Sequence, residues 1–235
     1  MKEKLIIFGT GHLVKEIIDF VHLYDLYDII GFTVNQEYIK NDTFNGLPVY
    51  PAETLENHVD PAEVKAFIAV SWYQKLCKVR EEKFNYLKNK GFHFANLIAP
   101  DAVIKTDDIG EGNWINEQVY IGYNAKIGSN NVFAHRTSVA HYDSIGDHNF
   151  IGVQANILGH VKIGNRCFIG SSSLIFNGTE IGSKCVIGAG SVVRKPLPDH
   201  SVTMAPKCVE LHMNEEAVES MIDVGKHWKP KKQDE

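Results

Sequence analysis

Residues 145–170 read IGDHNFIGVQANILGHVKIGNRCFIG. Isoleucine stands at every sixth position, at Ile145, Ile151, Ile157, Ile163 and Ile169, and glycine follows four of them. A hexapeptide period of this kind is the signature of a parallel β-helix. Each hexad forms one flat side of a triangular prism and three hexads complete a coil. Residues eighteen apart therefore stack one above another, about 4.8 Å away. The aliphatic side chain points inward, and the following glycine is expected to let the chain turn the corner without strain.

The same register extends outward in both directions. Backwards it runs through Val139, Phe133, Ile127, Ile121, Ile115, Ile109 and Val103 to Leu97, and forwards through Ile175, Ile181 and Ile187 to Val193, with no slip expected. Two residues before the aliphatic on one side stand Asn113, Asn131, Asn149, Cys167 and Cys185. This column predicts an inward ladder of small polar groups and thiols, with the cysteines as packing residues. After Val193 the segment Arg194–His200, with Pro196 and Pro198, breaks the repeat, because proline cannot continue a strand ladder. The open end of the prism needs a cover. Val202–Leu211 and a helix through Asn214–Val224 are expected to supply it, with a loose tail from Lys226.

The residues before the repeat follow another rhythm. Lys4–Phe8, Asp28–Thr33 and Val64–Val70 read as strands. Leu13–Val21, Pro51–Asn57 and Leu76–Lys90 read as helices, the last stopped by Gly91. Alternating strands and helices imply a parallel sheet. The chain thus divides into an α/β Rossmann-like domain over 1–95, an all-β left-handed parallel β-helix over 96–210, and a short C-terminal helix and tail over 211–235.

The 235 residues are 44% hydrophobic and 23% charged, an ordinary globular composition. A net charge of -5 argues against a nucleic-acid partner. The apolar run Leu5–Phe8 ends at Gly9 without a cleavage signal, and no segment reaches membrane-spanning length. Cys77, Cys167, Cys185 and Cys208 are too few and too dispersed for a disulfide framework, which points to a reducing cytoplasm.

A short Rossmann-like domain followed by hexapeptide repeats resembles the bacterial sugar acyltransferases: the bacillosamine-pathway N-acetyltransferase and its relatives named for sialic-acid O-acetylation. At the N-terminus, "IIFGTGHLVKEI" carries Gly9, Thr10, Gly11 and His12 where the family has G-x-G-G-H. Backbone N–H groups at such a strand-to-helix turn hold phosphate. Val34 and Asn35 stand where relatives often carry an acidic pair, so Asn35 is a candidate for substrate contact. In "VAHYDSIG" the family's catalytic histidine corresponds to His141. One coil later in the same column sits Gly159, whose N–H the resemblance aims at the thioester oxygen. Many relatives have an acidic residue directly after the histidine. Here Tyr142 follows, then Asp143, which either accepts backbone N–H groups or supports His141. "IGAGSVV" resembles the CoA-binding coil: Ala189 and Gly190 leave room for a pantetheine arm, and Lys195 is a candidate for its phosphates. Thr203–Lys207 is a loose version of the family's G-x-P-A-K. His135, His148 and His160, on nearby corners, read as solvated or structural.

The resemblance implies a cytoplasmic homotrimer of polysaccharide biosynthesis, with acetyl-CoA between neighbouring prisms. It would acetylate the amino group of a nucleotide-linked amino deoxysugar and needs no metal, since a thioester is already activated. The alternatives are an O-acyltransferase acting on a sugar hydroxyl, a non-catalytic nucleotide-sugar-binding trimer, and a zinc hydratase using His135, His141 and His160.

Overall fold

The computed structural model describes residues 2–70, 75–207 and 215–217. The first sheet contains β1 (Lys4–Phe8), β2 (Asp28–Val34), β3 (Thr43–Phe44), β4 (Leu47–Pro51), β5 (Val64–Ile68) and β6 (His93–Phe94), in the order β3-β4-β2-β1-β5-β6. Only the short β3–β4 pair is antiparallel. Strand β1, central and paired on both sides, buries Leu5, Ile6, Ile7 and Phe8, as a continuous apolar strand should. Helix α1 (His12–Leu23) buries Val14, Ile17, Ile18 and Val21 at helical spacing.

Helix α2 (Lys78–Asn89) begins two residues later than the sequence suggests, because Lys75, Leu76 and Cys77 all adopt the left-handed conformation. Its inner face carries Arg80, Phe84 and Leu87. The Pro51–Asn57 segment is a 3-10 helix over Ala52–Asn57, kinked at Thr54.

The prism is formed by three parallel sheets of six, four and seven two-residue strands. Its axis is filled by the expected aliphatics from Ile115 to Val193. The asparagine and cysteine ladder is also present. Asn113 Oδ1 accepts the N–H of Asn131 at 2.8 Å, Asn131 Oδ1 that of Asn149 at 2.8 Å, and Asn149 Oδ1 that of Cys167 at 2.7 Å. Cys167 and Cys185 continue the column fully buried.

Three expectations need correction. First, the register slips by one residue in the first coil. Ile98 pairs with Ile115 and Ile104 with Ile121, whereas Ile109 bridges Ile127. Ile98 and Ile104 pack against the prism core in place of Leu97 and Val103. Leu97 instead joins the core of the N-terminal sheet with Phe20 and Trp114, and Val103 is exposed. The first coil serves two cores, and packing rather than periodicity sets its phase.

Second, the glycines after the aliphatics do not supply corner geometry. The left-handed residues lie three positions after each aliphatic, at Asn124, Asn130, Arg136, Tyr142, His148, Gln154 and His160 among others. What demands glycine is coil-to-coil approach: a Cβ on Gly122 would lie 2.7 Å from the carbonyl carbon of Ala140.

Third, the repeat does not end at Arg194. Leu197 bridges Ile181 and Val202–Thr203 pairs with Val186–Ile187, so a further coil of sixteen residues forms around the prolines. Of the expected C-terminal helix only Glu215–Ala217 is described, as helix; the rest of that segment, the tail and Cys208 lie outside the described residues.

Residues Met1–Ala205 form one compact unit, so the sheet domain and the prism pack together. Buried Arg80 joins them, donating to the carbonyls of Ile68, Asn130 (3.3 Å) and Gly112 (3.4 Å). Tyr24 adds a hydrogen bond to Glu117 at 2.9 Å.

Candidate active site

His141 occupies the corner between strands Ser138–Val139 and Ser144–Ile145, just before left-handed Tyr142. Coil stacking fixes its backbone: its carbonyl accepts the N–H of His160 at 3.1 Å. The side chain is exposed, and its ring lies over Gly159 on the next coil. A Cβ at position 159 would sit 2.8 Å from both Cε1 and Nε2 of His141. Gly159 is itself buried, yet among the described residues its N–H has no hydrogen-bond partner. An imidazole nitrogen and a free backbone donor on adjacent coils form a base-plus-oxyanion arrangement.

Two further rings complete the corner. Tyr142 and His160, one coil apart, stack at 5.2 Å with 8° between planes, and His141 stands edge-on to both. This cluster was not read from the sequence. The eighteen-residue spacing of Tyr142 and His160 was the available signal.

Asp143 points inward and is buried. Its Oδ1 accepts the Val161 N–H at 2.8 Å, while Oδ2 has no partner. Burial pushes its carboxyl up to about 7 against the opposing backbone hydrogen bonds of Val161 and Ala140. No hydrogen bond or ion pair among the described residues joins it to His141.

His135 and His148 have other partners. His135 is half-exposed, 3.6 Å from Glu117. His148 is buried, with Nδ1 2.8 Å from Nδ2 of Asn130, and burial pushes its imidazole down to about 4. Among the described residues no three His, Cys, Asp or Glu side chains gather as a metal site.

Ala189 and Gly190 are exposed on a different prism corner from His141, that of Val153 and Ser171. Lys195 is exposed and follows Val193 by two residues, as His141 follows Val139. It therefore belongs to the His141–Gly159 column, two coils beyond Gly159.

In the sheet domain, Gly9 has φ 136°, and a Cβ there would lie 2.7 Å from the Ala69 carbonyl oxygen, so this turn requires glycine. Gly11 caps α1 with open space around its Cα. Thr10 borders a cleft of about 190 Å³ lined also by Tyr38, Ile39 and Phe44. His12, exposed, opens the helix. Asn35 follows β2 and is already engaged: it donates to Glu53 at 2.8 Å and accepts from Lys83 at 2.7 Å. Those partners are far away in sequence, and no motif marked them.

Residues 4–87 match the PglD N-terminal domain, and residues 160–195 match the hexapeptide repeat of succinyl-transferase. No curated protein matches the chain. Among solved structures, the chain is similar to the acetyltransferase domain of PglB from Neisseria gonorrhoeae FA1090 in complex with acetyl coenzyme A. That likeness has a TM-score of 0.73 at 21% identity and covers 87% of this chain and 97% of that one. PerB from Caulobacter crescentus, in complex with CoA and GDP-perosamine, gives 0.71 at 22% identity over 86% and 94%. WeeI from Acinetobacter baumannii AYE gives 0.72 at 22% identity over 86% and 96%. The architecture is shared across nearly the whole length. The chain therefore has the fold of these structures, a Rossmann-like sheet domain similar to the PglD N-terminal domain followed by a hexapeptide-repeat left-handed β-helix.

Proposed function

We propose that this protein is an acetyl-CoA-dependent N-acetyltransferase acting on the amino group of a nucleotide-linked amino deoxysugar. The observation that carries the reading is the His141 ring lying over Gly159, whose N–H is unpaired. The neutral sugar amine attacks the thioester carbonyl carbon. His141 accepts the ammonium proton, directly or through water, and the Gly159 N–H stabilises the tetrahedral oxyanion. The C–S bond then breaks, and the thiolate of CoA leaves and takes up a proton. General-base help of this kind is worth roughly 10²–10⁴-fold. Two of the similar structures hold acetyl coenzyme A or CoA with GDP-perosamine, which supports the choice of substrates.

Residues 1–95 are assigned the nucleotide sugar, through Gly9, Thr10, Gly11, His12 and Asn35, and residues 96–210 the acyl transfer. Ala189 and Gly190 are assigned the pantetheine arm and Lys195 the CoA phosphates. The position of Ala189 and Gly190 on another prism corner from His141 and Lys195 is the reason for proposing a homotrimer, in which a groove between neighbouring copies brings both corners to one ligand; sedimentation checks it. The setting proposed is cytoplasmic polysaccharide biosynthesis; no helix among the described residues is long and apolar enough to cross a membrane.

The test is CoA release across UDP-, dTDP- and GDP-linked amino sugars, with His141→Ala alongside. Turnover with one of these acceptors, lost about 10²–10⁴-fold in His141→Ala, is expected. Nucleotide-sugar binding without any CoA release would overturn the reading in favour of a binding protein.

A further inference from the structure

Asp143 lies in the prism interior behind the His141 corner, in the column of Ala125, Val161 and Thr179. The coils carry an inward position two residues before each aliphatic; at Asn113 and Thr137 the side chain makes the same pair of bonds, while the equivalent donors of Asn149, Ser173 and Ser191 have no partner among the described residues. Asn113 donates from Nδ2 to the carbonyls of Gly110 and Gly128, both at 3.0 Å. Thr137 Oγ1 donates to those of Ala134 (2.7 Å) and Gly152 (3.1 Å). Cys167 Sγ reaches the carbonyl of Gly182 at 3.1 Å. Asn113 and Thr137 therefore each tie their own corner, three residues back, to the corner one coil ahead, fifteen residues on; Cys167 shares the forward bond, its other carbonyl being that of Asn165 at 3.7 Å.

Asp143 occupies the equivalent position, where those two carbonyls belong to Ala140 and Leu158. Among the described residues neither accepts a hydrogen bond. The acceptor half of the pattern is filled: Asp143 Oδ1 takes the Val161 N–H, as Asn113 Oδ1 takes that of Asn131. The donor half is vacant, because Oδ2 is buried without a partner. By register the Ala140 and Leu158 carbonyls are the two that Oδ2 would meet; a carboxylate oxygen there would be repelled by both, whereas a carboxylic acid supplies the missing donor.

We propose that Asp143 is held as a neutral carboxylic acid whose Oδ2–H bridges the carbonyls of Ala140 and Leu158, making it the positioning residue of the site. The carbonyl of Ala140 belongs to the peptide group that leads into His141. That of Leu158 belongs to the peptide whose N–H is the free Gly159 donor. One proton thus sets the spacing of base and oxyanion donor, and its bond to the Leu158 carbonyl polarises the Gly159 N–H toward the substrate. Burial raises the carboxyl to about 7 against the backbone hydrogen bonds of Val161 and Ala140, which lower it, and no charged side chain acts on it. The inward groups around it are Ala125, Val161, Thr137, Asn149 and Cys167, and burial keeps the Cys167 thiol neutral up to about 12. His141, Tyr142 and His160 face outward from the same corner.

This inference rests on the acetyl-transfer site proposed above, and the experiment separates the two. Wild type, Asp143→Asn and Asp143→Leu are compared by kcat across pH and by thermal melting, without substrates, across pH 5–8. Leucine removes donor and acceptor at similar volume and is expected to lower kcat about tenfold or more; asparagine, which keeps both, restores most of it. The wild-type kcat profile should fall on the alkaline side as Asp143 ionises, and asparagine should abolish that limb. Because the folded pKa is raised, the stability of the wild type relative to Asp143→Asn should fall from about pH 4 to about pH 7 and then level off. An Asp143→Asn variant as slow as Asp143→Leu, or a melting difference independent of pH, overturns the proposal. If even the wild type releases no CoA, the acetyl-transfer reading fails, and the melting series still decides the protonation state.

Discussion

Replacing Gly159 by alanine separates the geometry of the site from the stability of the fold. The new Cβ would stand 2.8 Å from Cε1 and Nε2 of the His141 ring, against 3.4–4 Å for ordinary contact. The ring must therefore retreat by about 0.6 Å or more, the difference between 3.4 and 2.8 Å. It is the far end of an exposed side chain, so it can swing aside cheaply. The Cβ also lies 3.2 Å from the His141 carbonyl oxygen, a contact that a few tenths of an ångström relieve. Stability should change by less than about 1 kcal/mol, as for most single changes without a buried defect. Displacing a base on this scale typically costs on the order of 10²-fold, or about 2.7 kcal/mol of barrier. The assay is thiol-reagent detection of released CoA, with thermal melting on the same preparation. A variant that melts like the wild type and keeps its kcat would refute the reasoning: the position of the His141 ring over Gly159 would then have no part in turnover.

Gly11→Val places its side chain in open space at the start of α1, so the fold should be retained. Nucleotide-sugar binding should weaken while CoA binding, followed by calorimetry, is unchanged; an equal loss of both would end the assignment of the nucleotide to residues 1–95. His148 is held neutral by burial, with its imidazole pushed down to about 4. A depressed histidine supports the fold above its unfolded value and loses that support as pH falls from about 6.5 to about 4, on the order of 3 kcal/mol at most. Denaturant unfolding at pH 7 and pH 4.5 should show a smaller acid-induced loss in His148→Gln than in the wild type.

The hexapeptide register from Ile109 to Val193, the inward asparagine and cysteine ladder, and the alternating sheet domain were all legible in the sequence. Each is written in spacing: six residues for a prism side, eighteen for a coil. Spacing also put His141 and Gly159 in one column, because stacked coils turn sequence distance directly into spatial distance. Where that conversion ceases, tertiary packing decided. The first coil slips by one residue because Leu97 packs with Phe20 and Trp114 in the neighbouring core. The bonds of Arg80 to the carbonyls of Gly112 and Asn130 link positions with no shared period, as does the contact of Asn35 with Glu53 and Lys83. The role of the glycines after the aliphatics was misread, since the close approach of neighbouring coils shows only when the coils are stacked. The protonation of Asp143 likewise depends on what surrounds it, because the cost of a buried charge is set by its neighbours in space and no pattern along the chain carries them.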